Sequence, residues 1–377
     1  MDCLRCVSCG ETYPMSGPRW RCDCGGLLDV RFRARFDREE IVRRKPTMWR
    51  YREALPVADD EHVVSFDEGM TPMVPVDLGP AALFLKLEQL FPTGSYKDRG
   101  AAVLISKAKE MGVERVVEDS SGNAGCAIAA YAAKAGIDCE ILVPESASPG
   151  KLAQILLYGA TLRRVPGSRE DTAIAALAAA ETAYYASHSW NPFFFQGTKT
   201  FAYEVWEQLG FHAPDALLLP VGNGTLLIGS FLGFRDLREN GLIDRIPRHI
   251  AVQAGNCAPL FAMFRDGQDV VPAFEPRETI AEGVAIAAPV RGKEIVGIVR
   301  ETGGEVVTVS DAEVEEALIL LGRRGLYVEP TSALPVAAFL KYPGVRSGTV
   351  VAPLTGHGLK ANEKMLKIAT EGCGSIG

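Results

Sequence analysis

After residue 62 the chain alternates short apolar runs with alanine-rich stretches of helical spacing. The runs "ALFLKLE", "RVVEDS", "CEILVPE" and "TLRRVPG" are rich in leucine and β-branched residues, are bounded by turn residues, and predict strands. Between them lie "SYKDRGAAVLISKAKEMG", "GNAGCAIAAYAAKAG" and "SPGKLAQILLYGA". Residues 101–111 and 125–135 place small and apolar side chains at i, i+3 and i+4, which predicts helices able to pack closely on a sheet. A second series follows: "ALLLPV", "TLLIGSFLGFRDLREN", "HIAVQA", "EVVTVS", "DAEVEEALILLGRRG" and "TVVAPL". Strand, helix and strand in this order predict an α/β protein wound on parallel sheets. No fixed-period repeat or low-complexity tract interrupts it.

Two regions stand outside the alternation. Residues 31–62 are charged and aromatic with mixed helical spacing, and predict a connecting helix that runs into a proline-bounded loop. Residues 1–30 hold five of the nine cysteines. Cys6, Cys9, Cys22 and Cys24 form C-x2-C and then C-x-C, each pair followed by glycine, which is the outline of a zinc ribbon. The second pair is one residue tighter than a regular knuckle. Two readings follow: a structural zinc on these four thiolates, or a metal-free β-hairpin packed on the body through "LLDVRF".

Composition narrows the function classes. With 377 residues, 47% of them hydrophobic, the chain has room for two domains and an appendage. A formal charge of −7 provides no global basic field for nucleic acid or an anionic membrane, and the body contains no nucleic-acid module. No apolar run approaches the roughly 20 residues of a membrane span. The opening "MDCLRCVSCG" lacks the basic and apolar regions of a signal peptide, so with its odd, clustered cysteines the protein is expected in the cytoplasm.

Three turns carry candidate chemistry. "LLLPVGNGTLLIG" sets Gly222, Asn223, Gly224 and Thr225 between a strand and a helix starting near Leu226, so that backbone amides and the helix dipole face an anion. It is neither a Walker loop nor G-x-G-x-x-G, and a ligand-free tight turn is the plainer account. "SSGNAG" places Ser120, Ser121 and Asn123 at the mouth of another helix, where they either cap it or grip a carboxylate. "PLTGHGLK" ends a strand in Thr355, Gly356, His357 and Gly358, with His357 read as a surface or capping residue. Upstream, "PTGSYKDRG" holds Lys97 at a helix start. A lysine amine there condenses with an aldehyde, and the common cofactor joining an aldehyde to a phosphate is pyridoxal 5′-phosphate.

Taken together, "PTGSYKDRG", "SSGNAG", "GKLAQ", "NPF…GTKT", "PVGNGT", "EPTSA" and "LTGHGLK" resemble, in order and over nearly the whole chain, the threonine synthase family. These are fold type II, tryptophan-synthase-β-like pyridoxal enzymes. The resemblance implies two α/β domains, each with a parallel sheet, the cofactor in the cleft, and the small N-terminal ribbon. It also implies that the catalytic region spans 63–377, with a smaller subdomain of about 94–195 inserted in the larger. Lys97 would carry the cofactor as an imine and shuttle protons. Asn123 would meet its ring hydroxyl, Gly222, Asn223, Gly224, Thr225 and Leu226 its phosphate, and Thr355 its pyridine nitrogen. Ser120, Ser121, Lys151 and Ser189 are the residues expected at the amino-acid substrate. Fold-level analogy also suggests a homodimer.

Two positions depart from the family pattern. Ala124 stands where a threonine is usual, and Phe194 replaces the arginine of "NP-x-R", which pairs with the substrate phosphate. Losing such a charge-assisted contact costs on the order of 2 to 5 kcal/mol of binding. Lys151, Lys199 and Arg99 are the cations that stand as substitutes. The expected activity is conversion of O-phospho-L-homoserine and water to L-threonine and phosphate. The alternatives are β-replacement on O-phosphoserine, deamination of serine or threonine, and a catalytically silent metal-binding module.

Overall fold

The computed structural model describes every residue except 1, 80, 81, 146, 148, 168, 347 and 373–377. The chain forms two compact units. Met1–Met70, Phe91–Thr93 and Lys97–Thr200 make the first, and Thr71–Leu90, Gly94–Tyr96 and Phe201–Gly377 the second.

The first unit is built on a parallel sheet of four strands in the order Thr161–Val165, Asp138–Pro144, Arg115–Glu118, Tyr184–Tyr185. Val116, Val117, Ile141, Leu142 and Val143 are fully buried, which is why these strands read as apolar runs rather than alternating ones. The helix Asn123–Ala135 buries every residue from Ala124 to Ala132 and ends on Gly136 in the left-handed conformation. The helix Lys97–Glu110 begins four residues before the expected 101–111. Its first turn is polar, and Asp98 there accepts from the Thr93 N–H at 2.8 Å and from the Thr93 hydroxyl, folding the preceding turn back onto the helix.

A shorter helix, Pro192–Thr198, packs against Lys97–Glu110 at two glycines. A side chain on Gly197 would overlap the Arg99 carbonyl, and one on Gly100 would overlap the Phe194 ring. Close approach of the two backbones therefore requires glycine at both places.

The ribbon belongs to this unit and is a three-stranded antiparallel sheet, Thr12–Tyr13, Cys3–Cys6 and Leu28–Arg31, rather than a hairpin. Its anchor is Trp20, set edge-on against Tyr185 at 5.0 Å and Trp190 at 5.7 Å. Leu28 of "LLDVRF" is fully buried beside it, as expected.

The second unit holds a six-stranded sheet ordered Val306–Val309, Arg248–Ala254, Ala216–Pro220, Thr349–Pro353, Ala82–Lys86, Met73–Val76. All neighbours are parallel except the last pair. Met73–Val76 is the edge strand and carries Pro75, which an edge tolerates. Lys86, in an apolar run, is fully buried; its ammonium donates to Glu204 at 2.7 Å and to the Thr71 carbonyl and hydroxyl at 2.6 and 2.7 Å. Among the described residues no helix is long and apolar enough to cross a membrane.

Candidate active site

In the first unit the candidate residues gather where strands end and helices begin. Lys97 is the first residue of its helix and is half-buried, with Nζ 6.0 Å from the centre of the Phe194 ring. Strand Arg115–Glu118 runs into the serine loop, where the Ser120 hydroxyl accepts from the Gly122 N–H at 3.2 Å. No side chain caps the next helix, whose N-cap is Gly122, so the capping account of these serines does not hold there. Gly125 lies directly over the Ser120 carbonyl and leaves no room for a β-carbon. The helix start, with Asn123 as its first residue, is thereby pressed onto the loop that carries Ser120 and Ser121.

Ser189 is buried, with its hydroxyl 3.3 Å from that of Ser187. Beside it stands a pair that sequence reasoning missed. His188 Nδ1 lies 2.6 Å from the Glu118 carboxylate, both groups are buried, and the imidazole meets the Phe194 ring edge-on at 6.1 Å. Burial, then the Lys97 and Arg169 cations, pushes His188 well below the ordinary imidazole range, so its ring is neutral. Burial, then the Asp119 charge, raises Glu118 well above the usual carboxylate range. The two residues are 70 positions apart and share no motif, so no sequence signal joins them.

Phe194 itself is fully buried over Gly100. Of the substitute cations, Arg99 is buried, donates to the Thr200 hydroxyl at 2.9 Å and lies 4.8 Å from the Phe91 ring. Lys199 is buried with its ammonium 5.6 Å from the Phe32 ring. Lys151 falls in the helix Pro149–Leu157, and its side chain is outside the described residues.

In the second unit strand Ala216–Pro220 leads through Gly222 and Asn223 to Gly224, the N-cap of helix Thr225–Glu239. This start is one residue before the expected Leu226. Gly224 is left-handed with φ +70°, and a β-carbon on it would lie 2.6 Å from Ile295 Cγ1. One on Gly222 would lie 2.9 Å from Ile286 Cγ1 and 3.0 Å from Val284 Cα. Glycine is thus required twice, and an N-cap without a side chain leaves the first-turn amides to an outside acceptor. The Thr225 hydroxyl lies 2.8 Å from the Tyr96 hydroxyl.

Thr355 is buried at the end of strand Thr349–Pro353. Its hydroxyl is 3.1 Å from that of Ser332, the serine of "EPTSA", and Ser332 accepts from the Gly356 N–H at 2.9 Å. His357 is half-buried and caps the short turn Gly358–Ala361 by accepting from the Leu359 N–H, the capping role expected of it. Each unit offers groups of the kind pyridoxal phosphate needs: the second, glycine-limited amides suited to an anion and a buried neutral hydroxyl, and the first, a lysine at a helix start.

In the ribbon the Sγ atoms of Cys6, Cys9, Cys22 and Cys24 lie within 4.8 Å of one another. Cys6 and Cys24 are 3.6 Å apart and Cys9 and Cys22 3.5 Å. Four sulfurs at zinc–thiolate bond length have edges of about 3.8 Å, so the thiols stand close to a tetrahedral metal geometry. The Ser8 and Cys9 amides turn onto Cys6 Sγ at 3.4 and 3.5 Å, as a zinc knuckle requires.

Residues 64–356 match the family model described as pyridoxal-phosphate dependent enzyme. A threonine synthase of Methanocaldococcus jannaschii is 36% identical over 97% of this chain and 95% of its own length. A threonine synthase of a Synechocystis strain is 40% identical over 82% of each chain. Among solved structures, a threonine deaminase of T.th. superposes with a TM-score of 0.66 at 28% identity, covering 76% of this chain and 92% of that one. A maize serine racemase gives a TM-score of 0.69 at 22% identity, over 80% and 93% of the two chains, and so supports the fold alone.

Proposed function

Because the chain belongs to the pyridoxal-phosphate-dependent threonine synthase family, we propose that it converts O-phospho-L-homoserine and water into L-threonine and inorganic phosphate. It is a pyridoxal-phosphate-dependent lyase. The observation that carries the reading is full-length similarity to threonine synthases, supported by glycine-limited amides at Gly222–Thr225 and a lysine at a helix start.

When bound, the cofactor supplies an aldehyde for the amino-acid nitrogen and a ring that draws electrons from Cα and Cβ. Lys97 holds it through Nζ and, as an amine, takes and returns protons at those carbons. Gly222, Asn223, Gly224, Thr225 and Leu226 take its phosphate, and Asn123 its ring hydroxyl. Thr355 meets the ring nitrogen. Ser332, which accepts from the Gly356 N–H and donates to the Gly356 carbonyl at 3.1 Å, stands 3.1 Å from Thr355 Oγ1 and would hold that hydroxyl in place. A neutral hydroxyl there, rather than an acid, leaves the ring a moderate electron sink, suited to elimination and addition. Ser120, Ser121 and Ser189 would receive the substrate carboxylate and backbone, and Lys151 is kept as a proposed substrate residue. The apolar Phe194 wall is the one observation that favours a second reading, a smaller or less charged substrate such as O-phosphoserine, serine or threonine. Purified enzyme given each amino acid, with threonine, phosphate, ammonia and 2-oxo acid measured separately, tests both. Phosphate and threonine in equal amounts from O-phosphohomoserine support the first reading; 2-oxo acid and ammonia alone defeat it.

We assign a structural zinc to Cys6, Cys9, Cys22 and Cys24. Elemental analysis should find one zinc per chain, and chelation should lower the melting temperature of the first unit, which the ribbon joins through Trp20. A metal-free ribbon of unchanged stability would contradict this. A cytoplasmic homodimer completes the proposal, checked by fractionation and light scattering.

A further inference from the structure

The three residues before Lys97 are bound into the second unit. Gly94 accepts from the His357 N–H at 3.0 Å, Ser95 is bridged to Gly356, and the Tyr96 N–H donates to the Thr355 carbonyl at 3.1 Å. The side chain of Tyr96 adds a fourth tie, its hydroxyl 2.8 Å from Thr225 Oγ1. One short strap thus touches both loops assigned to the cofactor, the phosphate cup through Thr225 and the ring-nitrogen loop through Thr355. The next residue in the chain is the lysine.

Hydroxyl chemistry fixes the direction of this contact. A threonine hydroxyl has one proton, and a phosphate dianion can only accept. When Thr225 donates to a phosphate, Tyr96 must be the donor to Thr225 Oγ1. A hydroxyl that receives a hydrogen bond donates a stronger one, so the tyrosine acts on the anion through the threonine. Resting on the cofactor reading above, we propose that Tyr96 is a positioning residue for the cofactor, its hydroxyl orienting Thr225 toward the phosphate while its backbone holds the strap that carries Lys97.

The test uses the full chain stripped of cofactor, titrated with pyridoxal phosphate or with pyridoxal, which has no phosphate, and followed by fluorescence quenching. Tyr96→Phe keeps the ring and removes the hydroxyl. It should weaken pyridoxal phosphate about tenfold, the order expected for a hydrogen bond serving a charged group, and leave pyridoxal unchanged. Thr225→Val should have a similar effect, and the double variant should be no weaker than Thr225→Val alone. The proposal is overturned if Tyr96→Phe binds pyridoxal phosphate as the wild type does, or loses both ligands equally, since a merely structural tyrosine would not discriminate by phosphate. Wild-type protein that binds neither ligand would instead overturn the cofactor reading, and this proposal with it.

Discussion

Replacing Gly224 by alanine probes the phosphate cup directly, and its cost can be worked from two independent features. At φ +70° an L-residue pays about 1 to 2 kcal/mol for the left-handed conformation. The new β-carbon would also stand 2.6 Å from Ile295 Cγ1, inside van der Waals contact, against a side chain that is itself fully buried in helix Gly292–Glu301. Overpacking of that kind costs about 1 to 3 kcal/mol, so Gly224→Ala should destabilise the second unit by about 2 to 5 kcal/mol. Gly241 provides an internal control. It lies in the same unit, at φ +68°, with no atom within 4 Å of an added β-carbon, so Gly241→Ala should incur only the conformational part. Urea unfolding read from Trp206, the tryptophan of the second unit, separates the two variants. Relief of the clash shifts the first turn of helix Thr225–Glu239, so pyridoxal phosphate affinity should fall with stability in Gly224→Ala and stay unchanged in Gly241→Ala. Equal costs for the two variants, or an unaltered affinity in Gly224→Ala, would refute the reasoning.

Lys86→Met leaves Glu204 buried without its cation and should cost about 3 to 5 kcal/mol in urea unfolding, most of it recovered in the Lys86→Met, Glu204→Leu double variant. His249 is buried with Nδ1 2.9 Å from the Pro247 carbonyl and Nε2 3.0 Å from the Ser230 hydroxyl, and burial lowers it to about 4. Its folded value is depressed, so the unfolded chain takes up the proton first as pH falls. Its contribution is complete above pH 6.5 and drains away down to about pH 4, a loss of about 3 kcal/mol that a denaturation series should show and that His249→Gln should remove.

The parts of this protein that could be read from sequence are those whose cause is local. Strand, glycine turn and helix N-terminus occur within a dozen residues at Gly222–Thr225, because left-handed backbone and close packing exclude other residues there. For the same reason "SSGNAG" was legible: Gly125 must clear the Ser120 carbonyl five positions away. Helix starts were less so. The first turn of Lys97–Glu110 is polar because it faces Thr93, and polarity next to "PTGS" reads as loop.

What stayed hidden is carried by pairs that only folding brings together. Lys86 in "ALFLKLE" looks like the solvent side of an alternating strand, yet its partner Glu204 is 118 residues on and both are fully buried. Glu118 ends one strand and His188 lies in the turn three residues past its neighbour Tyr184–Tyr185, and their separate surroundings in sequence give no hint of a 2.6 Å contact. Trp20 sits among cysteines and arginines, where an aromatic reads as a ribbon residue rather than as the anchor to Tyr185 and Trp190. In each case the energy lies in desolvation, which is set by what other parts of the chain cover and not by the residue's own neighbours. Motifs therefore picked out the groups assigned to a cofactor, whereas the groups that set the charge and packing around them needed the fold. The tie from Tyr96 to Thr225 belongs to this second kind. Tyr96 lies inside the most recognisable motif of the chain, yet its hydroxyl acquires a role only because the turn at Gly224 delivers Thr225 to within 2.8 Å of it.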